Sequence, residues 1–277
     1  MQATISSVFL ICDNNKKGKE MKEVLTILVA CGLFLVLGVS NGVAQEEEQL
    51  EPATPIELFG CKYNEGMGPD DLDDVADKFN AWADKRGMDD YSAWTLVPYY
   101  SGPAQDFDVL WLGGSPSATA LGRAQDQWLA EGGEVQEQFN EVWTCAGHAN
   151  FAALQFKEPP ERDDPSNVVI SFSDCNMGDG MMFGDIAPAL SAWADYREGH
   201  GSTSGMWVMF PAYGDGTEEF DFKFISSWGN LEEQGADWDQ YSASGWQKAD
   251  ELFAGKLDCN ASRVYLATNR RMAEDDD

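Results

Sequence analysis

The chain has 277 residues, of which 18 are Lys or Arg and 48 are Asp or Glu, for a net charge of −30 at pH 7. So acidic a surface repels phosphate backbones, which excludes nucleic acid as a partner. The excess charge serves solubility, and the runs at 46–48 and 274–277 read as solvated tails rather than calcium sites.

The chain opens with a segment that does not belong to the fold. From Met21 it reads MKEVLTILVACGLFLVLGVSNGVAQ, in which Lys22 precedes an apolar run from Val24 to Val39 and then small residues up to Ala44. That order is the one of a secretory signal peptide, with cleavage after Ala44, and either Met1 or Met21 serves as the start. A retained membrane anchor is the competing reading, but the run is short for a span of about 20 residues and has Gly32 and Gly38 inside it. Leu28-Val29-Ala30-Cys31 resembles a lipoprotein box but lies mid-run. Cleavage removes four of the basic and three of the acidic residues, leaving 14 and 45. The mature protein is expected to be exported, periplasmic or extracellular, with no membrane attachment.

An acidic linker (45–54) leads into PIELFGCKY, an apolar strand ending near Cys61. In GPDDLDDVADKFNAWADKRG, Leu72, Val75, Phe79 and Trp82 recur at helical spacing. Pro69 and acids stand at the start and Lys85-Arg86-Gly87 at the end, which predicts a capped amphipathic helix. AWTLVPYY and FDVLWLGG then form a hairpin across SGPAQD. A helical region follows over about 116–143, broken near Gly132-Gly133, and NFAALQFK closes the unit as a strand beginning just after Cys145. The stretch 158–166, rich in Pro and charge, is a linker.

The same order recurs over 167–271. Phe183, Ile186, Leu190 and Trp193 repeat the helical offsets, with Pro188 expected in the first turn, where proline is tolerated. MWVMFPAY and FDFKFISS form the second hairpin, a helical region spans about 229–256 with a break near Gly245, and RVYLATNR closes. An acidic tail (272–277) ends the chain. Four cysteines remain after the leader: Cys61, Cys145, Cys175 and Cys259. The separations 61–145 and 175–259 are both 84, so the expected pairing is one disulfide within each of two copies, in an oxidising compartment.

The predicted fold is α+β: two tandem ferredoxin-like β-α-β-β-α-β units, residues 55–157 and 167–271. The run FDVLWLGGSPSATALGRAQDQW, a strand carrying an aromatic followed by a helix with Trp, resembles the dimeric α+β barrel proteins, particularly the NIPSNAP-like and stress-responsive A/B-barrel groups. The resemblance implies two sheets packed face to face as an intrachain barrel with helices outside. Its members include heme-degrading and quinone-forming monooxygenases, cyclases and proteins without assigned activity, so it implies little about function.

No zinc, EF-hand, GxSxG or phosphate-loop spacing occurs, and neither a metal nor a cofactor is expected. His148, beside the fourth strand, is the candidate general base, with Glu65 and Asp179 at the ends of the first strands as weaker candidates. His200 lies in a Gly/Ser loop. Asn64, Trp94, Tyr100, Trp111, Asn176, Trp207 and Tyr213 are the candidate ligand-binding residues, on the competing reading that the aromatics are core and that Gly66 and Gly180 are turns. NAS at 260–262 is a chance sequon in a chain that reads as bacterial. The expected function is binding of a small apolar or aromatic ligand by a monomer or weak homo-oligomer. The alternatives are a cofactor-independent monooxygenase or cyclase-like enzyme, and a subunit of an assembly joined through strand edges.

Overall fold

The computed structural model describes residues 52–103, 105–214 and 219–273. The leader, most of the acidic linker and the end of the acidic tail lie outside them. The first half contains β1 (Thr54–Tyr63), α1 (Pro69–Asp84), β2 (Ser92–Tyr100), β3 (Val109–Gly114), α2 (Ala118–Glu131), α3 (Gly133–Val142) and β4 (Trp143–Lys157). In the second half are β5 (Asn167–Met177), α4 (Phe183–Gly199), β6 (Gly205–Tyr213), β7 (Phe222–Trp228), α5 (Leu231–Gln240) and a π-helical turn (Tyr241–Gly245). It ends with α6 (Trp246–Phe253), β8 (Leu257–Cys259) and β9 (Arg263–Arg271).

The strands run β4-β1-β3-β2 and then β9-β5-β7-β6, and β6 pairs with β4, so the sheet closes into an antiparallel barrel of eight strands. β8 continues the β9 side of β5 beyond the end of β9. Closure satisfies the backbone groups that an open sheet leaves bare at its edges. Joining of subunits through exposed strand edges therefore has little free edge to use.

Alternation along each strand divides the core in two. On β1, Ile56 and Leu58 pack into the barrel interior with Leu96, Phe151, Phe172 and Tyr265. The residues between them, Glu57, Phe59 and Cys61, face the helices outside, as the period of two demands. The α1 side of that outer layer buries Leu72, Val75, Phe79 and Trp82, the stripe seen in the sequence. Pro69 opens α1, and the Asp71 carboxylate accepts the Gly68 N–H at 2.8 Å, so one unpaired donor of the first turn is met.

Two expectations need correction. α4 begins at Phe183, so Pro188 stands in the second turn rather than the first, where its missing N–H leaves a helical carbonyl without its usual partner. β4 begins at Trp143, so Cys145 lies inside the strand instead of before it. In the second half the corresponding stretch is split into β8 and β9 around Asn260-Ala261-Ser262. Both disulfides form as the equal spacings imply, Cys61 to Cys145 and Cys175 to Cys259, each joining residues opposite each other in neighbouring strands.

Candidate functional site

Between the outer face of β1, β3 and β4 and the helices α1 to α3 lies a cavity of about 680 Å³. Its apolar wall is a cluster of rings. Phe79 meets Trp111, Trp128 and Phe139 edge to face with centroids 5.7–6.3 Å apart, and Phe139 stacks on Trp143 at 5.3 Å. Edge-to-face pairs of this kind add to burial because the positive ring edge meets a negative face.

One polar cluster interrupts that wall. Glu57, 5% exposed, is the acceptor at its centre. Its Oε1 accepts the Tyr91 hydroxyl at 2.8 Å, and its Oε2 accepts Gln125 Nε2–H at 2.8 Å and His148 Nε2–H at 2.9 Å. Trp111 Nε1–H donates in turn to the Tyr91 oxygen at 3.0 Å. Burial acts to raise the Glu57 carboxyl, and the hydrogen bonds from His148, Tyr91 and Gln125 together outweigh it, holding the group below its ordinary 4.5. Tyr91 moves the other way, well above 10, through burial and the neighbouring Glu57 charge, so it stays a donor.

The consequence falls on His148. An ionised carboxylate only accepts, so Nε2 carries a proton, and in the neutral form of the ring the lone pair lies on Nδ1. The imidazole stacks on Phe59 at 3.8 Å, and its side chain remains 48% exposed at the cavity rim. A histidine oriented through one nitrogen by a buried carboxylate, with the other nitrogen free, can accept a proton from a bound molecule.

Of the residues singled out in the sequence, the structure brings His148 and Trp111 together on this cavity. Asn64 lies beside it and ties strand to helix: its side-chain N–H donates to the carbonyls of Asn140 and Glu141 and its Oδ1 accepts from Thr144. Trp94 and Trp207 pack in the barrel interior. Glu65, Asp179 and Asn176 are exposed outside the cavities, and Gly66 and Gly180 take φ of +83° and +76°, the left-handed turns into α1 and α4. Tyr213 lines a groove of about 330 Å³ that shares Gln125 and His148 with the cavity, and Tyr100 reaches a separate cavity in the second half. His200 is exposed and hydrogen bonds through Nδ1 to the Tyr196 carbonyl at 2.7 Å.

Sequence reasoning missed Glu57, Tyr91 and Gln125. A signal existed for the first: Glu57 alternates with Phe59 and Cys61, and a carboxylate on the face of a disulfide cysteine is a buried charge that needs donors. Among the described residues no three His, Cys, Asp or Glu side chains gather as a metal site, and no helix is long and apolar enough to cross a membrane.

No protein-family model and no curated protein matches the sequence. Solved structures do. A Fusobacterium nucleatum protein provisionally assigned as a monooxygenase is 5% identical and matches 80% of this chain and 94% of its own, with a TM-score of 0.51. A heme-binding protein from Thermus thermophilus is 10% identical over 79% and 93%, with a TM-score of 0.48. A dye-decolorizing peroxidase from Bacteroides thetaiotaomicron is 9% identical over 79% and 94%, with a TM-score of 0.46. The likeness to the Fusobacterium protein is one of fold, which in this chain is an α+β fold around a closed eight-stranded barrel. Identities this low speak to the fold and not to the chemistry.

Proposed function

We propose that the protein is an exported tandem α+β barrel that binds a small apolar or aromatic ligand in the cavity of its first half. The observation that carries this reading is a buried carboxylate held by three donors on the wall of an aromatic cavity, with His148 oriented at the rim. Cavities with an apolar wall and a few convergent polar groups are the usual form of a small-ligand site. Export is supported by the leader sequence and by two disulfides, which persist in oxidising compartments. Origin by duplication of one ferredoxin-like unit is supported by the strand order shared by the two halves and by the constant offset of 114 residues between Cys61 and Cys175 and between Cys145 and Cys259.

A thermal-shift screen of uncharged aromatic metabolites tests the binding reading. Ala124, buried on the cavity wall, is the place to block it: Ala124→Trp should abolish the stabilisation by any hit while leaving the far-ultraviolet spectrum unchanged. A folded A124W protein that keeps the full shift would place the ligand elsewhere.

The Glu57–His148 pair favours a second reading, a cofactor-independent oxygenase or cyclase-like enzyme in which His148 Nδ1 takes a proton from the bound ligand and ionised Glu57 stabilises the imidazolium. Given a hit that turns over, His148→Ala should remove activity without removing binding. The same nitrogen could instead hold iron, because a carboxylate on the far nitrogen is the usual support of a metal-bound histidine. A hemin titration whose absorbance change is lost in H148A would mark that case.

A further inference from the structure

The second half holds its own cavity, about 1000 Å³, between the outer face of β5, β7 and β9 and the helices α4 to α6. Its floor differs from that of the first cavity at the positions that carried the chemistry. Stepping 114 residues along the chain, Glu57 becomes Ser171, Phe59 becomes Ser173 and His148 becomes Ser262. Ser173 and Ser262 hydrogen bond to each other at 2.6 Å where Phe59 and His148 stack. Trp111, opposite Phe59 in register, has Phe224 as its counterpart opposite Ser173. Short side chains thus replace long ones across the floor.

The roof is hollow as well. α2 and α3 bury Leu121, Ala124, Val135 and Phe139 against their sheet, whereas no residue of α5 or α6 is fully buried. The wall between floor and roof is aromatic: Trp193 stacks on Tyr196 at 5.4 Å and meets Tyr241 edge to face at 6.4 Å.

Charge and hydrogen bonding then narrow the occupant. Among the described residues, Arg197 and Asp237 are the only charged ones on the lining, and they neutralise each other at 2.5 Å. Asp237 also accepts from Ser202 and Trp228, and Arg197 also donates to Ser226, so the pair is held in place and gives the lining no net charge to attract an ionised ligand. Polar groups on the lining are left open to a ligand. Among the described residues, Ser171, 6% exposed, makes no hydrogen bond through its hydroxyl, and Gln240 Nε2 is buried without an acceptor. An unpaired buried donor such as Gln240 Nε2 is destabilising, and a ligand oxygen would pair it.

We propose that this cavity is a second ligand site, separate from the first, which takes an uncharged flat aromatic molecule bearing hydroxyl or carbonyl oxygens on one edge. Its ring lies against Trp193 and Tyr241, and its oxygens face Ser171 and Gln240. The reading does not depend on ligand binding in the first half.

The test uses the full mature chain and 3-hydroxyflavone as probe, titrated by calorimetry and by quenching of tryptophan fluorescence. Ser173→Phe, which places the first half's residue on the floor, should weaken binding by at least about tenfold, and Ser171→Val, which removes one hydroxyl, by about fivefold. Ala124→Trp, which fills the other cavity, should leave the affinity unchanged. A sulfonated derivative of the flavone should bind at least about tenfold more weakly. Undiminished binding in both S173F and S171V overturns the proposal, as does tight binding of the sulfonate or no binding of the flavone to the native protein. Loss of binding in A124W alone would assign the flavone to the first cavity, overturning this site and supporting the first.

Discussion

A single carboxylate organises the first cavity, and its energetics can be tested directly. Because the folded Glu57 carboxyl lies below its ordinary 4.5, its contribution to stability is complete above that value and drains away as pH falls through the folded one. Glu57→Gln removes the titration and leaves donors facing a weaker acceptor. The native protein should therefore exceed E57Q in stability by about 1–3 kcal/mol at pH 7, and the gap should narrow by pH 3.5. Urea denaturation at the two pH values reads this, and a gap that widens in acid would contradict it. Gly113, opposite Glu57 in register, has a different part in the same cluster. A Cβ there would overlap the Tyr91 hydroxyl and lie 2.9 Å from Glu57 Oε1. Gly113→Ala should accordingly cost about 1–3 kcal/mol in the same assay, by driving Tyr91 off its acceptor. Glycine here makes room for a polar network, and its backbone conformation is not at issue.

At the scale of elements, the two halves have the same disulfide spacing but different strands to hold. Each bond closes a loop of 84 residues, worth about 4 kcal/mol in the chain-entropy account. Cys145 is embedded in a 15-residue strand paired along β1, whereas Cys259 ends a strand of three residues. Cys175→Ala with Cys259→Ala should therefore speed hydrogen exchange at residues 257–259 far more than the other double substitution speeds it at 143–147. Equal acceleration in mass-spectrometric exchange would show that β8 does not rely on its bond. This contrast also marks what the sequence could tell. The helix stripe of α1 and both hairpins were legible because periodicity and turn residues are local signals, and the disulfide pairing because two equal separations of 84 residues single out one pairing. The start of β4 and the split of β8 from β9 were not, since strand limits depend on which neighbour supplies hydrogen bonds. The place of Pro188 within its turn was not legible, because the spacing of Phe183, Ile186, Leu190 and Trp193 marks a helix face and not the residue at which α4 starts. Of the site, His148 and Trp111 could be picked out by residue type, but the partner of His148 comes from a strand 91 residues earlier and is joined to it only by sheet register.

For the molecule as a whole, charge is the dominant unbalanced term. The structure pairs many of its bases well: Asp174 meets both Lys223 and Arg263, Arg162 meets Glu233, whose carboxyl falls to about 2, chiefly through that hydrogen bond, and Arg271 meets Asp84. Yet with 18 bases against 48 acids, 30 carboxylates stay uncompensated even if every base is paired. Salt weakens both effects, since the screening length falls from about 30 Å at 0.01 M to about 8 Å at 0.15 M. The paired groups lie within 4 Å of each other and are partly buried, so they are screened little, while unpaired acids spread over the surface repel across tens of ångströms and are screened strongly. Repulsion should therefore lose more than attraction, and the melting temperature at pH 7 should rise by several degrees between 0.01 and 0.15 M sodium chloride. Calorimetry over that range decides it. A melting temperature that falls with salt would mean that the ion pairs around Asp174 and Glu233 outweigh the excess of negative charge.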